Sequence, residues 1–295
     1  MRLFYYFICA TFVSLSACTG GKLNLADDSD FEKIAKLDVP MPPSKAGDWL
    51  SIHAENGQTF EQYLRANPVE PTTNQKTIYI LPIGDFSPLE DSLTKHTAEY
   101  IGFFFGLKTT VLPALSTSVV PVKYRRKNPD EGHEQFQTTY ILDSLVLKRA
   151  PSDALVTMAI TNIDLFPSAA WNFVFGQAYT HKRAGVSSFF RYKKGALHDS
   201  TYAKTLERLI STSSHEIGHA FSIKHCTHAV CVMNGSNSLE EADSRPNLLC
   251  SVCLRKLYWN LEFNNTERLQ NLQAFFKKHH LTTDYQKITQ VISSI

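Results

Sequence analysis

Two histidines lie four positions apart late in a long amphipathic pattern, in the run His215-Glu216-Ile217-Gly218-His219. Apolar residues at helical spacing over residues 201–221 predict a single helix that contains this run. Side chains four positions apart on a helix lie one turn above the other on the same face. The two imidazoles are therefore placed to chelate one zinc ion.

A third histidine, His225, follows six residues after His219, and the chain must turn back sharply for it to reach the same ion. Three protein ligands leave the fourth position of a tetrahedral zinc ion to water, which is the arrangement of a catalytic site. Zinc lowers the pKa of its water toward about 7. Glu216 is placed to take the water proton and to pass it to the leaving amine. The sequence thus predicts hydrolysis of a peptide or protein substrate.

Four cysteines follow this motif closely, and the last two form a CxxC pair. Such pairs are typical of structural zinc sites, in which four thiolates leave no open coordination position. We therefore expect two Zn²⁺ ions per chain, the second bracing the segment after His225. The alternative is two disulfides in any of three pairings, because an exported protein meets an oxidising environment. The residues concerned are Cys226, Cys231, Cys250 and Cys253.

The N-terminus has the pattern of a targeting segment. Arg2 precedes an apolar run over residues 3–15 that is too short to span a bilayer. Leu15-Ser16-Ala17-Cys18 resembles a bacterial lipobox, which predicts a signal peptide over residues 1–17, lipidation of Cys18, a tether over residues 18–47 and one domain over residues 48–295. The expected location is exported and membrane-anchored, on the periplasmic or cell-surface side. The alternative is a simple secretory signal with a chance cysteine at its end.

The composition supports a globular protein and argues against nucleic acid as a partner. The chain is 43% hydrophobic, and its formal net charge is only +2, without a long basic block. We expect a monomer whose contact with the membrane is made by the lipid anchor.

The apolar patterns predict a mixed α/β fold. A strand over residues 77–81, a helix over residues 89–104 and a strand over residues 109–112 form a βαβ unit, which requires parallel strands. Further strands are predicted over residues 154–160, 172–178 and 185–190, and further helices over residues 140–147 and 266–281. The fold class is therefore α/β with a mixed, mostly parallel sheet, an active-site helix and a small zinc-braced C-terminal subdomain.

These motifs together resemble the archaemetzincins, a family of metzincin zinc peptidases. The resemblance is carried by HEIGHAFSIKHC, by Cys231-Val232-Met233 and by Cys250-Ser251-Val252-Cys253. MNGSNSLEEADSRPNLLC is similar to the animal members in particular, and ILPIGDF, ITNIDLF and FVFGQA also look like family motifs. The resemblance spans residues 48–263. It implies a metzincin-like domain with one catalytic and one structural zinc.

The resemblance also implies roles for residues outside the ligand sets. Met233 corresponds to the methionine that lies beneath the catalytic metal. An edge strand above the cleft pairs with an extended substrate in metzincins. The residues proposed here for that strand are Asn172, Phe173, Val174, Phe175 and Gly176.

Two positions depart from the family pattern. Ser222 replaces the usual glycine of a left-handed turn, at an expected cost of about 1 kcal/mol. Gly235 stands where some metzincins place a tyrosine that stabilises the transition state, so the oxyanion donor is not assigned.

Two rival functions follow from the residues. A zinc protein that binds peptides with little or no turnover would accommodate both departures. A thiol-disulfide protein would use Cys250 and Cys253. Five further histidines have no partner at ligand spacing and are expected to have ordinary surface or core roles: His53, His96, His133, His181 and His198.

Overall fold

The computed structural model describes residues 29–193 and 195–295. The predicted signal peptide over residues 1–17 and the predicted lipidation site Cys18 lie outside these residues. Within the described ranges, no helix is both long enough and apolar enough to cross a membrane.

The strands of the described chain form a five-stranded and a three-stranded sheet. In chain order they are β1 (Thr77–Ile83), β2 (Thr109–Val111), β3 (Arg125–Lys127), β4 (Glu134–Gln137), β5 (Ala154–Thr161), β6 (Asp164–Phe166), β7 (Gly176–Tyr179) and β8 (Ala184–Ser188).

The helices surround the larger sheet. In chain order they are α1 (Ser29–Ala35), α2 (Trp49–Ile52), α3 (Phe60–Arg65), α4 (Pro88–Phe105), α5 (Thr138–Tyr140), a π-helix (Ile141–Val146), α6 (Leu147–Arg149), α7 (Asp199–Ala220), α8 (Leu239–Asp243), α9 (Ser251–Leu261), α10 (Asn265–Lys278) and α11 (Thr282–Ser294), with 3-10 turns at Thr117–Val119, Val122–Tyr124 and Phe190–Tyr192.

The larger sheet has the order β2-β1-β5-β8-β7 and is mostly parallel. The predicted βαβ unit is confirmed, because β1 and β2 pair in parallel on either side of α4 in the sequence. The pairs β1–β5 and β5–β8 are also parallel, whereas β7 runs antiparallel to β8. The mixed, mostly parallel sheet is therefore confirmed. The smaller sheet, β3-β4-β6, was not predicted.

Each face of the larger sheet packs against a separate apolar cluster. Ile78 and Ile80 of β1 belong to the cluster shared with α4 and α7. Leu81 and Ile83 belong to the cluster that the π-helix covers. Strands buried on both faces read as continuous apolar runs, which explains why β1 and β5 were recognisable in the sequence.

Local signals fix the ends of α4. The Ser87 side chain accepts a hydrogen bond from the Glu90 amide, and the Glu90 side chain accepts one from the Ser87 amide, which is a capping box. Pro88 occupies the first turn. Gly106 ends the helix with φ 62°, a left-handed conformation that glycine adopts without strain. Helix α4 packs against the active-site helix α7.

The strand predicted over residues 172–178 is wrong in its first half. Strand β7 begins at Gly176, although Val174 makes an isolated bridge to Leu165. The Arg126 guanidinium donates to the carbonyls of Trp171 and Asn172, at 2.6 and 2.8 Å. Side chains thus take the carbonyls that a longer strand would use for pairing.

Part of the predicted tether, residues 18–47, belongs to the folded body. Helix α1 packs against α9, and Ile34 is buried there. Residues 38–40 contact the cysteine loop, where Pro40 bridges Ala229 and the Asp38 carboxylate accepts from the Ser251 amide. The prediction of a free tether is therefore wrong for α1 and for residues 38–40, because their apolar side chains and carboxylates have partners on the domain.

Candidate active site

Helix α7 brings two of the predicted zinc ligands together. The Nε2 atoms of His215 and His219 are 3.0 Å apart. The His225 ring lies 5.2 Å from the His215 ring and 4.9 Å from the His219 ring, between centroids. One nitrogen from each of the three imidazoles can be chosen so that these three nitrogens lie within 4.8 Å of one another. Two nitrogens bound to one tetrahedral zinc at about 2.0–2.1 Å would be about 3.3 Å apart, so the histidines fit one ion.

The turn that returns His225 to the helix passes through Ser222, which has φ 69°. The serine thus adopts the left-handed conformation for which glycine was expected. Its hydroxyl donates to the Thr180 carbonyl at 2.8 Å and accepts from the Val69 amide at 3.2 Å. These two hydrogen bonds offset the backbone strain, and the departure from the family pattern leaves the turn formed.

Each imidazole is oriented by a hydrogen bond at its other nitrogen. His215 Nδ1 donates to the Val232 carbonyl at 2.8 Å, and His219 Nδ1 donates to the Ile223 carbonyl at 2.6 Å. With the proton on Nδ1, each Nε2 presents a lone pair. Two lone pairs 3.0 Å apart repel each other unless a cation lies between them, which is a second indication of a metal.

Glu55 performs the same task for the third ligand. Its carboxylate oxygens lie 2.9 and 3.0 Å from His225 Nδ1. Such a carboxylate fixes the tautomer and ring orientation of a metal-binding histidine. Sequence reasoning missed Glu55, because it is 170 residues away and no motif around it signals the role.

Burial sets the charges of the site. It lowers the pKa of His215 well below its ordinary value and that of His219 to about 3, so both imidazoles are neutral at pH 7. Neutral imidazole is the form that binds a metal. Burial also raises the pKa of Glu216 to about 8. A bound cation acts in the opposite direction and favours the carboxylate.

Met233 lies directly against the active-site helix. A Cβ placed on Gly218 would come within 2.5 Å of the Met233 sulfur. Any residue other than glycine at position 218 of α7 would therefore have to displace the methionine side chain. Met233 is buried at this contact.

The Trp49 side chain packs against Gly235. A Cβ on Gly235 would lie 2.5 Å from the Trp49 ring, which fills the space that a larger residue 235 would take. The Trp49 and His225 rings form a T-shaped pair whose centroids are 4.9 Å apart.

The four cysteines form a second cluster immediately beyond His225. All four are buried and free, and their sulfur atoms lie within 4.8 Å of one another. The Cys226 and Cys250 sulfurs are 3.6 Å apart. Two sulfurs bound to one zinc at about 2.3 Å would be about 3.8 Å apart, so the cluster fits a metal. The structure contains no disulfide among these four residues.

A cleft of about 590 Å³ opens above the histidines. Glu216 lines the cleft and lies directly against β7, since a Cβ on Gly176 would be 2.7 Å from the Glu216 carboxylate. Strand β7 is the last strand of its sheet and pairs only with β8 there. Of the five residues predicted for the substrate strand, Gly176 begins β7, and Asn172, Phe173, Val174 and Phe175 line the cleft just before it.

Comparisons with known proteins agree with this geometry. Archaemetzincin-2 of Rattus norvegicus is 34% identical over 273 residues, which cover 82% of this chain and 76% of that protein. The chain belongs to the archaemetzincin family. Archaemetzincin-1 of Homo sapiens is 30% identical over 262 residues, covering 77% of this chain and 52% of that protein. The sequence model of Peptidase family M54 matches residues 134–258, so this archaemetzincin is a zinc metallopeptidase.

A solved archaemetzincin has the same fold. The crystal structure of archaemetzincin from Methanopyrus kandleri aligns with a TM-score of 0.53 and 26% sequence identity, covering 65% of this chain and 98% of that one. The archaemetzincin fold thus accounts for 65% of this chain.

Proposed function

We propose that this archaemetzincin hydrolyses peptide bonds at a zinc ion held by His215, His219 and His225. The observation that carries the proposal is the orientation of the three rings. Each Nδ1 is engaged by an acceptor, which leaves the Nε2 atoms to face one point. When bound there, zinc supplies Lewis-acid activation of water and of the substrate carbonyl.

Glu216 is the proposed general base. Its side chain is nearly buried and borders both the histidines and β7. A carboxylate in this place takes a proton from the attacking water on its oxygen and delivers that proton to the leaving nitrogen. Its contact with Gly176 holds the carboxylate at the strand along which a substrate would lie.

An extended peptide that adds to the edge of β7 is the proposed substrate. The free edge of β7 offers main-chain hydrogen bonds, and the cleft beside it is lined by aromatic rings including Trp49, Trp171 and Phe173. Strand addition gives affinity through the main chain, whereas the aromatic lining selects side chains.

A second zinc at Cys226, Cys231, Cys250 and Cys253 is proposed as structural. Four sulfurs complete a tetrahedral ion and leave no position for water. The four cysteines are free and their sulfurs lie within 4.8 Å of one another, which supports one metal site over two disulfides.

Three expectations remain predictions from the sequence: export with a lipid on Cys18, the end of the signal peptide at residue 17, and a monomeric state. A membrane fraction of cells that express the whole chain, compared with the Cys18→Ala variant, tests the anchor. Loss of membrane association in that variant supports it.

The alternative that the sequence left open is a zinc protein that binds peptides with little or no turnover. The Glu216→Gln variant separates the two candidates. General-base catalysis contributes about 10²–10⁴-fold, so cleavage of a peptide library should fall by that factor while bound zinc stays unchanged.

Glu207→Gln is the matched control, since Glu207 lies on the same helix but pairs with Lys204 away from the cleft. This control should keep full activity. Equal peptide cleavage by wild type and Glu216→Gln, or none by wild type, would contradict the peptidase mechanism.

A further inference from the structure

A third group of metal-binding residues lies away from both proposed zinc sites. His96 and Glu99 are on α4, and His279 directly follows α10. One ligand atom of each residue lies within 4.8 Å of the other two. Residues three positions apart share a helix face, so α4 presents His96 and Glu99 together. Helix α10 packs on α4 and supplies the third residue.

His279 carries a polar atom that no protein group satisfies. The residue is only 9% exposed, and its Nε2 is buried without a hydrogen-bond partner. The nearest carboxylate oxygen, on Glu99, is 3.9 Å away, beyond hydrogen-bond distance. A buried nitrogen without a partner costs about 1–3 kcal/mol, which a bound ligand would relieve.

His96 is oriented in the same way as the ligands of the active site. Its Nδ1 lies 2.7 Å from the Tyr202 hydroxyl. When Nδ1 donates to that oxygen, Nε2 keeps its lone pair for a metal.

We propose that His96, Glu99 and His279 bind a further divalent metal ion of the zinc type. Two imidazoles and one carboxylate are a zinc donor set. Magnesium and calcium prefer oxygen ligands, so two nitrogen donors select against them. The ion would join α4, which supports α7, to the helix pair α10–α11 near the C-terminus.

Lys278 is the group that competes with the metal. Its ammonium lies 3.1 Å from both oxygens of Glu99. The Lys278 side chain is 56% exposed, and an exposed ion pair contributes little to stability. The lysine can therefore move into solvent when a cation binds, and its removal should strengthen metal binding.

The test is zinc content per chain after dialysis of the whole protein against micromolar free zinc. His96→Gln and His279→Gln should each hold one zinc ion fewer than wild type. Tyr202→Phe should bind the same ion about 10–100-fold more weakly, because such supporting contacts are worth that much in metal affinity. Lys278→Gln should bind it more tightly than wild type.

His280→Gln is the matched control, because His280 is the exposed neighbour of His279 and lies outside the cluster. It should keep the wild-type zinc content. All variants retain the histidine and cysteine sites, so the difference between chains does not depend on whether those sites function as proposed. Peptidase activity and circular dichroism confirm folding. Equal zinc content in wild type, His96→Gln and His279→Gln overturns the proposal.

Discussion

At the scale of single residues, the site depends on groups that hold the ligands as much as on the ligands themselves. Glu55 is the clearest example, because its carboxylate is the acceptor for Nδ1 of His225. His215 and His219 are held by main-chain carbonyls of the segments beside α7. His225 alone among the three depends on a side chain from the N-terminal part of the domain.

Removal of Glu55 should therefore weaken zinc binding. Glu55→Ala is expected to lower zinc affinity and kcat/KM by about 10–100-fold, and Glu55→Gln should be intermediate, since its amide oxygen still accepts a hydrogen bond. Competition with a chelator measures the affinity. Glu61→Ala, at an exposed position of α3, is the control. Wild-type zinc affinity in Glu55→Ala would show that His225 needs no carboxylate.

Ser222 allows a second prediction at this scale. Ser222→Gly removes about 1 kcal/mol of backbone strain but also a buried hydroxyl with two hydrogen bonds, at a cost of about 1–3 kcal/mol. Ser222→Ala loses the hydroxyl and keeps the strain. We expect Ser222→Ala to be about 1 kcal/mol less stable than Ser222→Gly in urea unfolding with zinc present. The opposite order would mean that the turn is unstrained.

The spacing of residues predicted the chemistry of this site far better than it predicted the supporting contacts. His215, Glu216 and His219 could be identified because one helical turn places them together. Glu55 and Trp49 could not be, since they reach the site through the tertiary fold. His96 and Glu99 share a face of α4, but they form a cluster with His279 only because α10 packs on α4.

At the scale of elements, strands buried on both faces and long helices were predictable, whereas short or half-exposed elements were not. The residues of β1, β5 and α4 carry long apolar patterns. The short strands β3, β4 and β6 have three or four residues each and no such pattern. Helix α11 was missed because its few buried residues give a weak signal.

Helix α11 is anchored by a buried carboxylate. Asp284 accepts from the Asn247 amide at 3.0 Å and from its side-chain nitrogen at 2.7 Å. Burial raises the pKa of Asp284 above its ordinary value of 3.8, despite these hydrogen bonds. The folded protein thus holds this proton more tightly than the unfolded chain, and the stabilisation is lost as the pH rises through the raised pKa.

Asp284→Asn should remove this pH dependence. The free energy of unfolding of wild type, relative to the variant, should fall as the pH rises from about 3.8 through the raised pKa of Asp284. Urea unfolding of both proteins across this range at the same zinc concentration measures the difference. Asp91→Asn, at an exposed position, is the control. A constant difference between wild type and Asp284→Asn would exclude the proposed role of burial.

At the scale of the whole molecule, the two proposed zinc sites share one connected set of contacts. Val232 accepts from His215 through its carbonyl, and its amide donates to the Leu248 carbonyl, just before Cys250. Cys226 directly follows His225 and donates its amide to the Met233 carbonyl. Residues 38–40 pack against the same loop. The cysteine cluster therefore supports the position of both His215 and His225.

This connection predicts an asymmetric response to ligand removal. His219→Ala should lower the zinc content by one ion per chain and abolish activity, while the zinc at the four cysteines stays bound. Cys250→Ala should remove the structural zinc and also weaken the catalytic zinc, because the loop that carries His225 and Val232 loses its support. Elemental analysis at graded free zinc, combined with thermal unfolding, measures both effects. A Cys250→Ala variant that lost one zinc but kept wild-type activity would show that the two sites are independent, and a single zinc in wild type would remove one of them.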